Sequence, residues 1–107
     1  MSILQAEGQD ILKEIQSSKS VLVDCWAPWC PPCRLIGAVL EEIDLDFDLK
    51  IVKVNADENP EFISEFQVLG LPTLLLFQDG ELVGRITGFG PKDSLVGTLK
   101  DYGLLES

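Results

Sequence analysis

At 107 residues, 46% of them hydrophobic and with no low-complexity tract, the chain has enough material for one domain that buries roughly 60 to 68 per cent of its unfolded surface. Acidic residues outnumber basic ones 18 to 8, for a formal net charge of -10, which repels nucleic-acid phosphates and anionic lipid surfaces alike. Three cysteines and no histidine fall short of the four Cys or His ligands of a structural zinc site and leave no Ser-His or Cys-His hydrolase.

The first residues, MSILQAEGQDILKE, show no basic n-region, long apolar core or cleavage site, and no later apolar run reaches the length of a membrane span. The expectation is a cytoplasmic protein. In a compartment that keeps thiols reduced, a CxxC pair is more often catalytic or metal-binding than structural. Ile3 and Leu4 suit a short edge strand, and Ile11, Leu12 and Ile15 recur at helical spacing after Gly8, which predicts a helix over 9–17. Residues 17–20, SSKS, connect it to the next element.

Residues 21–26, VLVDCW, alternate two faces: Val21, Val23 and Cys25 on one, Leu22, Asp24 and Trp26 on the other. A carboxylate inside so apolar a strand is costly unless it has a partner or a task; the alternative is that Asp24 caps a turn. Trp29, Cys30, Pro31, Pro32 and Cys33 follow. Residues three apart at a helix start share a face with β carbons about 5 to 6 Å apart, and a disulfide spans α carbons about 4.4 to 6.8 Å apart. Cys30 and Cys33 can therefore open and close a bond with little backbone movement.

A helix N-terminus leaves N–H groups unpaired and carries partial positive charge, which favours a thiolate; Cys30 is the expected nucleophile. Pro31 pushes Cys30 toward an extended N-cap, and proline is tolerated in a first helical turn. Pro32 in turn biases Pro31 away from helical geometry.

From Pro32 to about Asp44, the apolar positions Leu35, Ile36, Val39, Leu40 and Ile43 predict the longest helix, with Cys33 in its first turn. Gly37 inside it costs roughly 1 kcal/mol relative to alanine and points to close packing or a slight bend. Residues 50–55, KIVKVN, read as a second core strand, on which Lys53 either snorkels to solvent or reaches Asp24. Asn59-Pro60-Glu61 is an N-terminal helix signal, and Phe62, Ile63 and Phe66 give that helix an apolar face up to its expected end near Gly70. Pro72 and Thr73 open a strand, TLLLF, and Asp79-Gly80 turns it into ELVGRIT. Gly88 and Gly90-Pro91 break that strand; Leu95, Val96 and Leu99 mark a last helix that Gly103 stops. The expected class is α/β, one domain over 1–107 with a mixed sheet of four to five strands and helices on both faces.

The ordered set V-D-x-W-A ending at Ala27, Trp29-Cys30 through Cys33, Lys53-Val54-Asn55, Asn59-Pro60, Gly70 to Phe77, Asp79-Gly80 and Gly88 resembles the thioredoxin family over nearly the whole chain. The resemblance implies a thioredoxin fold and a protein-disulfide reductase that carries electrons and is recycled by a separate reductase, with no cofactor of its own. It implies that Cys30 attacks a substrate disulfide, that Cys33 resolves the mixed disulfide, and that buried Asp24 accepts the Cys33 proton, with burial raising its pKa and Lys53 lowering it. Pro72 is then cis and faces the cysteines. Trp29, Gly70, Leu71, Pro72 and Gly88 form an apolar surface for extended segments of disulfide-bearing proteins, and nothing demands more than a monomer.

Three positions depart from the family pattern. Pro31 replaces the usual glycine and stiffens the bridge, shifting the potential in a direction left open. Cys25 replaces an aromatic core residue and is either a small buried hydrophobe or a regulatory thiol. Ala38 replaces a helix-kinking proline, a role Gly37 can take. Two other functions fit such a chain: a disulfide oxidase or isomerase, and a redox-idle binding module, against which a buried carboxylate argues.

Overall fold

A strand whose two faces are both apolar needs cover on both, and the connections between these strands supply it. The computed structural model describes residues 3–106, in which β1 (Ile3–Gln5), α1 (Asp10–Gln16), β2 (Ser20–Trp26), α2 (Pro31–Asp46), β3 (Lys50–Asn55), α3 (Pro60–Glu65), β4 (Thr73–Gln78), β5 (Glu81–Thr87) and α4 (Lys92–Asp101) follow one another. The sheet has five strands in the order β1-β3-β2-β4-β5. β1 and β2 run parallel to β3, β4 runs antiparallel to β2, and β5 antiparallel to β4. The mixed sheet and the edge position of β1 are as expected.

The two faces of β2 separate two cores. Leu22 shares one with Ile36, Leu40 and Ile43 of α2 and Leu95 and Leu99 of α4. Val21, Val23 and Cys25 share the other with Ile11 and Ile15 of α1 and Phe62 of α3. A fully buried leucine or isoleucine contributes about 1.5–3 kcal/mol, so the alternation read in 21–26 is what assigns each helix its side. Asp79 and Gly80 both take positive φ, 52° and 83°, joining Gln78 to Glu81 in a two-residue hairpin loop.

Four local expectations change. α3 ends at Glu65, short of Gly70. Gln67, at φ 54°, takes the left-handed position; its N–H donates to the Ser64 carbonyl at 3.1 Å and the Val68 N–H to the Ile63 carbonyl at 3.0 Å. Those are the paired bonds of a Schellman closure, held by Val68 in the same core as Ile63. The closure at the end of α4 is the same, with Gly103 at φ 81°.

Asn59 occupies the N-cap position of α3 but makes no capping bond. Its Oδ1 instead accepts from the Gly8 N–H and its Nδ2 donates to the Asn55 carbonyl, both at 2.9 Å, which ties two loops together. Pro31 is helical in spite of Pro32: α2 starts there, and Cys30 alone is extended, at φ -106° and ψ 102°. The turn is closed by the Cys33 N–H on the Cys30 carbonyl, 3.1 Å, and by the disulfide between the same residues. α2 continues to Asp46, two residues past the expected end, until Phe47 turns extended.

Candidate active site

Strand directions decide where chemistry can gather. β2 and β3 are parallel, so Trp26 and Asn55 end at one edge of the sheet; β4 is antiparallel and begins there at Thr73, opposite Thr87, where β5 ends. The loops carrying Cys30, Asp57, Pro72 and Gly88 therefore meet at one end of the molecule, at the carboxyl ends of the parallel strands.

Cys30 is the N-cap of α2 and Cys33 its third residue. They are disulfide-bonded with α carbons 5.3 Å apart, and both are buried. Ala27 completes a small cluster with them, and Trp26 and Leu71 pack against it. The Cys30 N–H donates to the Ala27 carbonyl at 3.2 Å and the Arg34 guanidinium to the Pro28 carbonyl at 3.0 Å, which fixes the loop before the helix.

Asp24 and Lys53 are register partners on adjacent strands. Asp24 is 0% exposed; Lys53 Nζ stands 3.8 Å from its Oδ2, an ion pair too long for a hydrogen bond. Burial pushes the Asp24 carboxyl up to about 6, against the pull of the Lys53 charge. Lys53 Nζ also lies 5.2 Å from the centroid of the Trp26 ring. Among the described residues, Asp24 Oδ1, Asp24 Oδ2 and Trp26 Nε1 are the buried side-chain polar atoms without a hydrogen-bond partner. Lys53 reaches the pair's surroundings through a cleft of about 290 Å³ that Trp26, Cys33, Arg34, Gly37 and Glu41 also line.

Leu71 and Pro72 are joined by a cis peptide bond. Pro72 is buried, and its carbonyl accepts from the Gly88 N–H at 2.9 Å, while the Thr73 hydroxyl donates to the Gly70 carbonyl at 2.6 Å. These bonds tie the turn from Gly70 to Thr73 together and fasten it to Gly88. Trp29 stands apart from the cysteine cluster: 66% exposed, it donates its indole N–H to both carboxylate oxygens of Asp57, at 3.0 and 3.1 Å.

Asp57 was not singled out by sequence, because a carboxylate in a loop without periodicity gives no sign of its partner. The sequence marks Gly37 as a glycine inside a helix but gives no sign of its neighbour, Lys53. Cys25 faces the opposite core with its thiol pushed up to about 12, by burial first and by Asp24 second, as a small buried hydrophobe would be. Among the described residues no three His, Cys, Asp or Glu side chains are grouped to hold a metal, and no helix is long and apolar enough to cross a membrane.

A dithiol pair that closes at the start of a helix, on a mixed sheet that carries a buried carboxylate paired with a lysine, defines a thiol-disulfide oxidoreductase. The family model described as Thioredoxin matches residues 2–101. Thioredoxin 1 of Synechococcus elongatus is 43% identical over 106 residues, covering 95% of this chain and 99% of that protein. The thioredoxin of Bacillus subtilis is 46% identical over 97 residues, covering 89% and 92%. A solved mutant thioredoxin from Halobacterium salinarum NRC-1 superposes with a TM-score of 0.88 at 33% identity, covering 94% of this chain and 90% of that one. The chain belongs to the thioredoxin family. Neither the oxidase or isomerase nor the idle binding module is favoured by these relatives.

Proposed function

We propose that the chain acts as a single domain over 1–107, a cytoplasmic electron carrier that reduces protein disulfides and is itself re-reduced by a separate reductase. The Cys30 thiolate attacks one sulfur of the substrate disulfide, forming a Cys30-substrate disulfide and expelling the other substrate sulfur as a thiolate. Cys33 then attacks Cys30, closes the intramolecular disulfide and releases the second substrate thiolate. Two electrons have passed to the substrate, and the pair is left in the bonded form seen here.

Cys33 must lose a proton to attack, and like Cys30 it is buried. Asp24 takes that proton, with Lys53 limiting how basic the carboxylate becomes; a group near 6 can accept and return protons around neutral pH. Pro31 and Pro32 shape the turn between the cysteines. Trp29, Gly70, Leu71, Pro72 and Gly88 receive an extended segment of the substrate around Cys30. No cofactor or metal takes part, neither nucleic acid nor membrane is a partner, and one copy of the chain suffices.

The observation that carries this reading is the pairing of a reversible disulfide at the N-cap of α2 with a buried Asp24-Lys53 ion pair. An equilibrium redox titration against glutathione or dithiothreitol, read by the fluorescence of Trp26 and Trp29, tests it. The expected potential lies well below the cytosolic glutathione couple; one near or above that couple overturns the reductant reading in favour of an oxidase or isomerase.

A further inference from the structure

Gly37 lies in the second turn of α2, on the face that lines the cleft shared by Cys33, Trp26 and Lys53. Glycine weakens a helix interior, so its presence calls for a local reason. A β carbon added there meets Lys53 Nζ at 3.5 Å. That is ordinary van der Waals contact: an alanine fits without displacing anything, and its methyl lies against the ammonium in the cleft that both residues line.

The other neighbours of that ammonium do not replace the water. The Trp26 ring offers its face at 5.2 Å, and Asp24 stands at 3.8 Å without a hydrogen bond. The Lys53 side chain keeps 26% of its surface exposed, against 0% for Asp24. Solvent from the cleft is thus what the ammonium has in place of a direct bond to the carboxylate.

We infer that Gly37 is a positioning residue of the redox site, whose missing side chain keeps Lys53 solvated and at ion-pair rather than hydrogen-bond distance from Asp24. Water on the α2 side competes with the carboxylate for the ammonium and keeps the local dielectric high, which weakens the attraction. A methyl there removes that competitor. The ammonium then satisfies itself on the nearest buried anion, and a carboxylate that accepts such a bond holds its own proton less tightly.

The charged groups that bear on the pair are few. From α2, Arg34 and Glu41 line the same cleft; Arg34 is engaged with the Pro28 carbonyl, and Glu41 is exposed. On β2, Cys25 beside Asp24 points to the opposite core. Glu41→Gln in each background removes the competing carboxylate.

The inference rests on the proposed role of Asp24, and the experiment separates the two. The Asp24 carboxyl is titrated by carbon-detected NMR in the parent, Gly37→Ala, Lys53→Met and the double variant, and the rate at which Cys33 resolves a Cys30 mixed disulfide is followed against pH. In Gly37→Ala the Asp24 midpoint is expected to fall by about half to one pH unit, a roughly three- to tenfold weaker proton affinity, while the melting temperature holds or rises. In Lys53→Met the midpoint rises, and adding Gly37→Ala changes nothing further. An unchanged or raised midpoint in Gly37→Ala, or the same fall without Lys53, overturns the inference. A midpoint that falls with no change in resolution rate upholds it and overturns the role of Asp24 as proton acceptor.

Discussion

Replacing Asp24 by asparagine is expected to stabilise the protein at neutral pH and to leave that gain behind in acid. The folded chain holds the carboxyl near 6 rather than at 3.8, chiefly because it is buried. Below about 3.8 the group is protonated in both states; above about 6 the folded state must carry an ionised carboxylate that the unfolded state carries more easily. The native preference for the protonated form is therefore fully present below 3.8 and is lost as pH rises through 6. The loss comes to about 3 kcal/mol at neutral pH. Asparagine has the same shape and no charge to desolvate, so Asp24→Asn should gain about 3 kcal/mol on the parent between acid and neutral pH, or roughly 12–20 °C in Tm for a domain of this size.

The assay is urea unfolding of the oxidised protein, parent against variant, at intervals from about pH 3.5 to about pH 8. The unpartnered amide of the asparagine adds an offset that does not vary with pH, so the change in the difference is the diagnostic. A difference that is flat across the range would falsify the account of Asp24 as a desolvated carboxylate.

Pro32→Ala is expected to raise the reduction potential: the Cys30 and Cys33 N–H groups are both engaged on carbonyls and the prolines have none, so alanine at the second helical position adds the backbone donor that an N-cap side chain, here the Cys30 thiolate, accepts from. A donor worth about 1 kcal/mol corresponds to about 20 mV for a two-electron couple, readable by glutathione equilibration. Asp57→Ala frees the Trp29 indole and should raise KM for a disulfide-bonded protein about threefold, with kcat held, in steady-state reduction assays. Cys25, pushed up to about 12, should resist an alkylating reagent at neutral pH: mass spectrometry of the reduced protein finds no label on Cys25 when folded and all three cysteines labelled when unfolded.

What was legible before the structure was whatever depended on pattern within one element. The two faces of VLVDCW could be read because the sheet is covered on both sides, and Asp79-Gly80 because few residue pairs accept two positive φ values in succession. The cysteine pair, Asp24 and Lys53 were legible for a related reason: a thiol pair at helical spacing and charges inside apolar strands violate the pattern around them. The end of α3 was not, because the left-handed position is held by Gln67, a residue with no special preference for it, through bonds that exist only once Val68 is buried. The Trp29-Asp57 bond and the approach of Lys53 to Gly37 each join different elements, and depend on how α2 and the loop after β3 lie over the sheet.

The meeting of four loops at one end of the sheet makes redox function a gauge of folding. Cys30 and Cys33 are neighbours in sequence and survive almost any disruption, but the loop carrying Pro72 comes to their end of the sheet only when β4 is paired with β2, Gly88 only when β5 is paired with β4, and Lys53 comes beside Asp24 only when β3 is in register with β2. Activity is thus distributed over the strand order rather than stored in the cysteine turn. A fragment or a slipped register retains the dithiol without the machinery that makes it selective, and loss of catalysis should coincide with loss of the sheet.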